Sequence, residues 1–174
     1  MNQTLDEDAL QLVNELRRRK LKIVFAESCT GGLVAATLTK ISGVSDCLCG
    51  SAVTYSDAAK SDWLGVRAEL IRATTSVSAS VAEQMAVGVL KRTPEANLAA
   101  AVTGHLGPAS PPQLDGAVFV AVAIRTAHGL EKHGYQIQLK TTVRVERQFE
   151  ATKNVICAAL SCITLHPEWH LESP

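Results

Sequence analysis

A serine hydroxyl is a poor nucleophile until a base removes its proton, and a lysine can be that base once burial or nearby cations lower its pKa towards neutrality. One stretch of the chain holds both, with a tyrosine between them: Ser42-Gly43-Val44-Ser45 through Tyr55-Ser56-Asp57-Ala58-Ala59-Lys60. Two other stretches are rich in small polar groups, Glu27-Ser28-Cys29-Thr30-Gly31-Gly32 and Thr103-Gly104-His105-Leu106-Gly107-Pro108. Gly31 and Gly32 permit close approach of a ligand. The first stretch lacks the lysine and spacing of a P-loop, and the chain has no GxGxxG, so ATP hydrolysis and dinucleotide redox chemistry find little support. Cys29 reads as a buried small thiol, since nothing near it in sequence is a base. Cys47 and Cys49 form a CxC pair that reads as packing, and His105 as an exposed loop histidine. His166 and His170 stand four apart, but Pro167 and their terminal position speak against a metal site. No metal and no cofactor is therefore expected.

These groups need elements to hold them. Leu5, Ala9, Leu12, Val13 and Leu16 recur at helical spacing and predict an amphipathic helix over about 5–19, closed by Arg17-Arg18-Arg19-Lys20 at the negative end of its dipole. Residues 22–26 form a short apolar run, read as a buried strand. The Glu27 to Gly32 loop follows, then a helix over 33–41. Strand, small polar loop, helix is the layout in which free backbone N–H groups gather at a helix N-terminus. Residues 50–55 read as a second strand. Ala82, Met85, Ala86, Val89 and Leu90 share one face of a helix over 78–92, with Ser80-x-x-Glu83 as a capping box or Ser78 as the cap. Strands are expected over 96–102 and 117–124, a loop over 109–115, and a hairpin partner over 135–139 after the His128-Gly129 turn. Phe149, Thr152, Ile156, Ala159, Leu160 and Ile163 define a closing helix. The order predicts a three-layer α/β/α sandwich around a mixed sheet. It forms one domain, with a core over about 5–165 and a frayed tail over 166–174.

Composition bounds the rest. The 174 residues carry 17 Lys plus Arg against 17 Asp plus Glu, so no broad basic field invites nucleic acid or an anionic membrane. Aromatics are 4%, which leaves few stacking platforms for single strands. Apolar residues are 47%, enough to exclude the disordered class. No apolar run reaches the roughly 18 residues of a membrane span. The N-terminus is acidic and polar rather than a signal peptide, and the five cysteines are odd in number and scattered. A reduced, cytoplasmic protein is expected.

Taken in order, the segments resemble the CinA C-terminal domain family, which includes the bacterial nicotinamide mononucleotide deamidases. The resemblance rests on AESCTGG at 26–32, VTYSDAAK at 53–60, Leu64-Gly65-Val66, the helix at 76–92, TGHLGP at 103–108 and the strand at 116–123. It covers about residues 5–165. It implies hydrolysis of the carboxamide of nicotinamide mononucleotide to nicotinate mononucleotide and ammonia, by a serine nucleophile with Lys60 as base and Tyr55 nearby. Ser28 and Ser45 are both candidate nucleophiles. Ser45 is favoured because it lies in the GSS-type segment ahead of the YS..AK motif. Ser28, Thr30, Gly31, Gly32, Thr103, Gly104 and Arg144 are the implied substrate-binding positions, with Arg147 as an alternative anion partner. The resemblance further implies a homodimer whose partner molecule is a small pyridine mononucleotide, and a stand-alone version of a domain that also occurs in fusions. After Pro108 the family pattern of AGP-x-GG gives way to Ala109-Ser110-Pro111-Pro112-Gln113, and Leu106 replaces a usual alanine. That departure opens the alternative of a divergent nucleotide-binding relative, non-catalytic or altered in specificity.

Overall fold

The computed structural model describes residues 4–166. Helix α1 (Leu5–Arg18) opens on a capping box: Thr4 Oγ1 accepts from the Glu7 N–H, and the Glu7 carboxylate accepts from the Thr4 N–H. Its buried stripe, Ala9, Leu12, Val13 and Leu16, is the one the helical spacing predicts. Arg19, just past its end, is buried, and its Nη1 donates to the carbonyls of Ile163 and His166 at 2.7 and 2.8 Å. That charge fastens the two ends of the chain's first layer rather than only suiting a dipole.

Strands β1 (Ile23–Glu27), β2 (Leu48–Val53), β3 (Leu98–Gly104), β4 (Ala117–Thr126) and β5 (Gly129–Gln138) form one sheet in the order β2-β1-β3-β4-β5. β1 runs parallel to both β2 and β3, whereas β3–β4 and β4–β5 are antiparallel. The sheet is therefore mixed, as expected. The remaining helices are α2 (Leu33–Leu38), α3 (Asp57–Leu64), α4 (Ala68–Thr74), α5 (Ala79–Arg92) and α6 (Arg144–Leu165). Side chains alternate across each strand. Ile23, Phe25, Leu98, Val118, Val120, Val122 and Ile124 face α1, α2 and α6. Val24, Ala26, Ala99, Ala101, Ala121 and Ala123 face α3, α4 and α5. Alanines on the second face let α5 lie close, and the product is the expected α/β/α sandwich. No helix among the described residues is long and apolar enough to cross a membrane.

Several boundaries differ from the sequence reading, each for a local reason. The α2 helix ends at Leu38 rather than at 41, because the chain turns through Ser42 and the left-handed Gly43. Helices α3 and α4 fill a stretch with weak amphipathic periodicity. Strand β5 begins at Gly129 rather than at 135, since an edge strand pairs through its backbone whatever its side chains. Helix α6 begins at Arg144 rather than at 149, where its first three residues, Arg144, Val145 and Glu146, are exposed and carry no buried apolar stripe. Ser78, not Ser80, caps α5, accepting from the Val81 N–H. Most of the predicted tail lies outside the described residues.

One packing contact sets the position of α3. A Cβ on Gly88 of α5 would stand 2.0 Å from the Leu64 carbonyl oxygen, and Arg92 Nη1 donates to the same oxygen at 3.0 Å. Gly88→Ala gains about 1 kcal/mol of helix propensity. It must then push α3 away, and overpacking of this kind costs about 1–3 kcal/mol or more. The expected result is a melting midpoint several degrees below wild type, at about 2–4 °C per kcal/mol for a chain of this size. A circular-dichroism melt at or above the wild-type midpoint would contradict the close approach.

Candidate active site

The carboxyl ends of parallel strands are where such sheets bind ligands, and three loops meet there. The ladder runs one residue past each strand end: Ser28 N–H donates to the Val102 carbonyl at 3.0 Å, and Thr54 N–H donates to the Glu27 carbonyl at 2.8 Å. Both residues are thereby fixed before any side chain is considered. Ser56 then caps α3, accepting from the Ala59 N–H. The first turn of α3 carries Lys60 back over this edge. Lys60 Nζ donates to Ser28 Oγ at 3.1 Å and to the Thr54 carbonyl at 3.0 Å. Lys60 is 1% exposed and forms no ion pair among the described residues. Burial lowers its pKa, opposed by the charge of Asp57.

The expected serine–lysine pair is thus present, but its serine is Ser28. Ser45 sits in a short 3-10 turn (Val44–Asp46) ahead of β2, whereas Lys60 touches the residue just after β2. Strand β2 has six residues, which at about 3.3 Å each place its ends roughly 17 Å apart. Within one chain Ser45 and Lys60 lie at opposite edges of the sheet.

The Glu27 to Gly32 loop also differs from its expected role. Ile23, Phe25 and Glu27 alternate onto the α2 side of the sheet, so the fully buried Glu27 carboxylate reaches the start of α2. Its Oε2 accepts from Thr30 Oγ1, Gly32 N–H and Val34 N–H at 2.8, 2.9 and 3.1 Å. Its Oε1 accepts from Ala35 N–H and Ser51 Oγ at 3.1 and 2.8 Å. The N-terminus expected to hold a ligand anion already holds a protein carboxylate. The Thr30 side chain, 2% exposed, is part of that network. Gly31 and Gly32 have φ of +64° and +99°, the left-handed backbone that the turn into α2 requires. The Thr30 backbone N–H makes no hydrogen bond among the described residues.

In the third loop Thr103 is buried, its hydroxyl donating to the Ser76 carbonyl at 2.8 Å. A Cβ on Gly104 would meet Val118 Cγ2 at 2.7 Å, so this glycine serves the β3–β4 approach. Leu106 is 2% exposed and packs into the α6-side core. Its bulk is taken up by that core. Arg147 is taken: it meets both Asp115 carboxylate oxygens at 2.8 and 2.7 Å and the Thr141 carbonyl at 2.8 Å. That contact holds the Asp115 carboxyl below its ordinary pKa. Arg144 is exposed, donating to Tyr55 Oη at 2.8 Å and the Gly107 carbonyl at 2.7 Å. Tyr55 is itself 61% exposed. This pair joins the second and third loops.

Cys29 is 5% exposed, and burial pushes its thiol up to about 12, as suits packing rather than attack. Three contributors escaped the sequence reading: Glu27 as anchor of α2, the Thr54 carbonyl on Lys60, and Gln148, whose Nε2 donates to the Cys29 carbonyl at 3.4 Å. The signal for Glu27 was an acid on the buried face of a strand. Thr54 and Gln148 gave none.

Known proteins share the chain's sequence and fold. Residues 5–162 match the family model of the CinA C-terminal domain. A CinA-like protein of Mycolicibacterium gilvum is 42% identical over 141 residues, which is 80% of this chain and 33% of that protein. A CinA-like protein of Mycobacterium sp. (strain JLS) is 46% identical over 107 residues, 62% of this chain and 25% of that protein. The chain thus matches a quarter to a third of the length of these curated relatives. Among solved structures, the competence/damage inducible protein CihA of Agrobacterium tumefaciens is 32% identical with a TM-score of 0.85, covering 94% of this chain and 99% of that one. The competence damage-inducible protein A of Klebsiella pneumoniae is 26% identical with a TM-score of 0.86, over 93% and 98%. With its order of motifs, its sheet and its matched length in agreement, the chain belongs to the CinA C-terminal domain family.

Proposed function

We propose that this chain hydrolyses the carboxamide of nicotinamide mononucleotide, with Ser28 as nucleophile and Lys60 as base. The observation that carries the reading is the buried amine of Lys60 on Ser28 Oγ at 3.1 Å, with no carboxylate paired to it among the described residues. Neutral Lys60 takes the Ser28 proton as Oγ bonds to the amide carbon. The tetrahedral oxyanion collapses, the C–N bond breaks, and Lys60 returns the proton to the departing nitrogen as ammonia. Water then attacks the ester carbon, Lys60 takes one of its protons and returns it to Ser28 Oγ as the ester C–O bond breaks, and the acid formed gives its remaining proton to solvent and leaves as the nicotinate carboxylate. The Thr30 N–H, without a hydrogen bond among the described residues, is the backbone donor left for the oxyanion. Thr54 Oγ1, buried and without a hydrogen bond among the described residues, is left to meet the substrate amide or the water. Arg144 offers the phosphate a cation at the mouth, and the exposed Tyr55 ring offers the pyridine a stacking face.

The direction of the Lys60 shift gives a test. Its folded pKa lies below its unfolded value, so between the two the unfolded chain binds more protons and stability rises with pH. Turnover rises in the same sense as the amine is released. The acid limb of kcat/KM for ammonia release is expected below the ordinary lysine value of about 10.4. A profile without such a limb would remove Lys60 as the base. A second reading, binding without turnover, rests on the altered residues after Pro108. It predicts that nicotinamide mononucleotide raises the melting midpoint while no ammonia appears.

A further inference from the structure

We propose that Glu131, His133 and His166 form a binding site for a divalent borderline metal ion, zinc being the best match, that ties edge strand β5 to the end of α6. Glu131 and His133 are two apart on β5, so both point to the α6 side. His166 caps the C-terminus of α6. The ligand atoms of all three lie within 4.8 Å of one another. Glu131 Oε1 is 3.0 Å from His133 Nε2 and 3.5 Å from His166 Nε2. Tetrahedral zinc with bonds of about 2.0–2.1 Å places neighbouring ligand atoms about 3.3 Å apart. The two measured separations bracket that value.

Imidazole nitrogen beside a carboxylate has a blander use, a simple ion pair, but the geometry is poor for it. His133 Nε2 is buried, and despite the 3.0 Å approach it makes no hydrogen bond among the described residues. An aligned N–H would have satisfied it. A metal ion placed between the three atoms satisfies that nitrogen without needing N–H alignment. Two imidazoles and one carboxylate are a set that zinc accepts, with the fourth position left to water. The scaffold is fixed on both sides: β5 by its ladder to β4, and the His166 carbonyl by Arg19 Nη1 at 2.8 Å. Cys162 lies one turn back in α6, its Sγ on Tyr135 Oη at 3.3 Å, and burial, with the Glu131 charge a lesser cause, raises its thiol pKa. The site is remote from Ser28. Glu131 pairs with Ile124, which pairs with Leu98 at the start of β3, whereas Ser28 lies beyond the ends of β1 and β3. The histidine pair considered in sequence was His166 with His170. His170 lies outside the described residues; among them the fold brings His166 to His133, 33 residues away in the chain, which no local spacing could reveal.

The test is a titration of the metal-free full chain with zinc chloride, read by calorimetry and by the melting midpoint. One ion per chain and a zinc-dependent rise in midpoint are expected. His133→Ala and Glu131→Gln should each weaken that binding by about tenfold or more and suppress the rise, as loss of a ligand predicts. His166→Ala should do the same while keeping the backbone bond to Arg19. Glu131 is 43% exposed at its side chain, so Glu131→Gln keeps the test valid if a histidine variant misfolds. No binding to the wild-type chain, or binding unchanged in these variants and so carried by thiols elsewhere, would overturn the proposal. Neither result bears on Ser28 and Lys60, whose test is ammonia release.

Discussion

Ser28→Ala is expected to lower ammonia release from nicotinamide mononucleotide by about a thousandfold or more, and Lys60→Ala by a similar amount. A positioned acid–base group contributes about 10²–10⁴ in rate. Removing the nucleophile abolishes the covalent route entirely. The two losses should not add in the double variant, because each alone disables the same step. Lys60→Arg separates base from charge: arginine stays protonated, can hold an anion and cannot take a proton. It should be as inactive as Lys60→Ala, although the larger head must find room in a site only 1% exposed, so its melting midpoint has to be read alongside. Near-full activity in Lys60→Arg would make Lys60 a positioning charge and end the serine–lysine mechanism. Ser45→Ala supplies the discriminating arm. With Ser28 as nucleophile it should keep most of its turnover. An inactive Ser45→Ala beside an active Ser28→Ala would return the attack to Ser45, and would require a second copy of the chain to bring it to Lys60.

The choice between the two serines shows where the sequence ran out. The strand at 22–26, the loop after it and the helix at 78–92 were legible, because apolar period and turn residues are local signals. The pairing of Lys60 was not, because it depends on which ends of which strands share an edge. Ser28 follows β1 and Lys60 follows β2; the two strands are parallel, so their carboxyl ends coincide. Ser45 precedes β2 and so falls at the other edge. The place of Ser45 ahead of the YS..AK motif does not bring it to Lys60, since the chain between them runs the length of a strand. Arg147 and Arg144 were likewise indistinguishable by position, three residues apart near the start of α6. Only packing shows that Asp115 engages one and that the other, exposed, donates to Tyr55 Oη. The start of α2 was the reverse case: Gly31 and Gly32 read as permitting close approach of a ligand, whereas a Cβ on Gly31 would meet nothing within 4 Å and one on Gly32 only Val53 Cγ2 at 3.5 Å, so what they supply is the positive φ of the turn.

Glu27 therefore carries the second large effect, on folding. Five donors converge on its carboxylate, three of them backbone N–H groups of Gly32, Val34 and Ala35. These are the orphan donors that every helix start presents. In Glu27→Ala they lose the acceptor that a fully buried side chain supplied, the Val34 N–H in a buried position and those of Gly32 and Ala35 in part-buried ones. Each unsatisfied buried group costs about 1–3 kcal/mol. Their sum is comparable with the about 5–15 kcal/mol that holds a domain folded. Glu27→Ala should accordingly fail to give a cooperative melt. Glu27→Gln is the informative variant, being nearly isosteric. Its amide oxygen keeps the place of Oε2 for Thr30, Gly32 and Val34. Its amide nitrogen, in the place of Oε1, faces the Ala35 N–H donor to donor, while Ser51 can turn to accept. One backbone group is then unsatisfied and the charge at the α2 start is gone, a favourable contact of about 0.3–1 kcal/mol or more when buried. The expected loss is about 2–4 kcal/mol, or roughly 5–15 °C in melting midpoint. Because Ser28 directly follows Glu27 and Thr54 bonds its carbonyl, turnover should fall with it even at temperatures where Glu27→Gln is folded. A Glu27→Gln melt indistinguishable from wild type would show that the carboxylate does not hold α2, and would free that N-terminus again for a ligand anion.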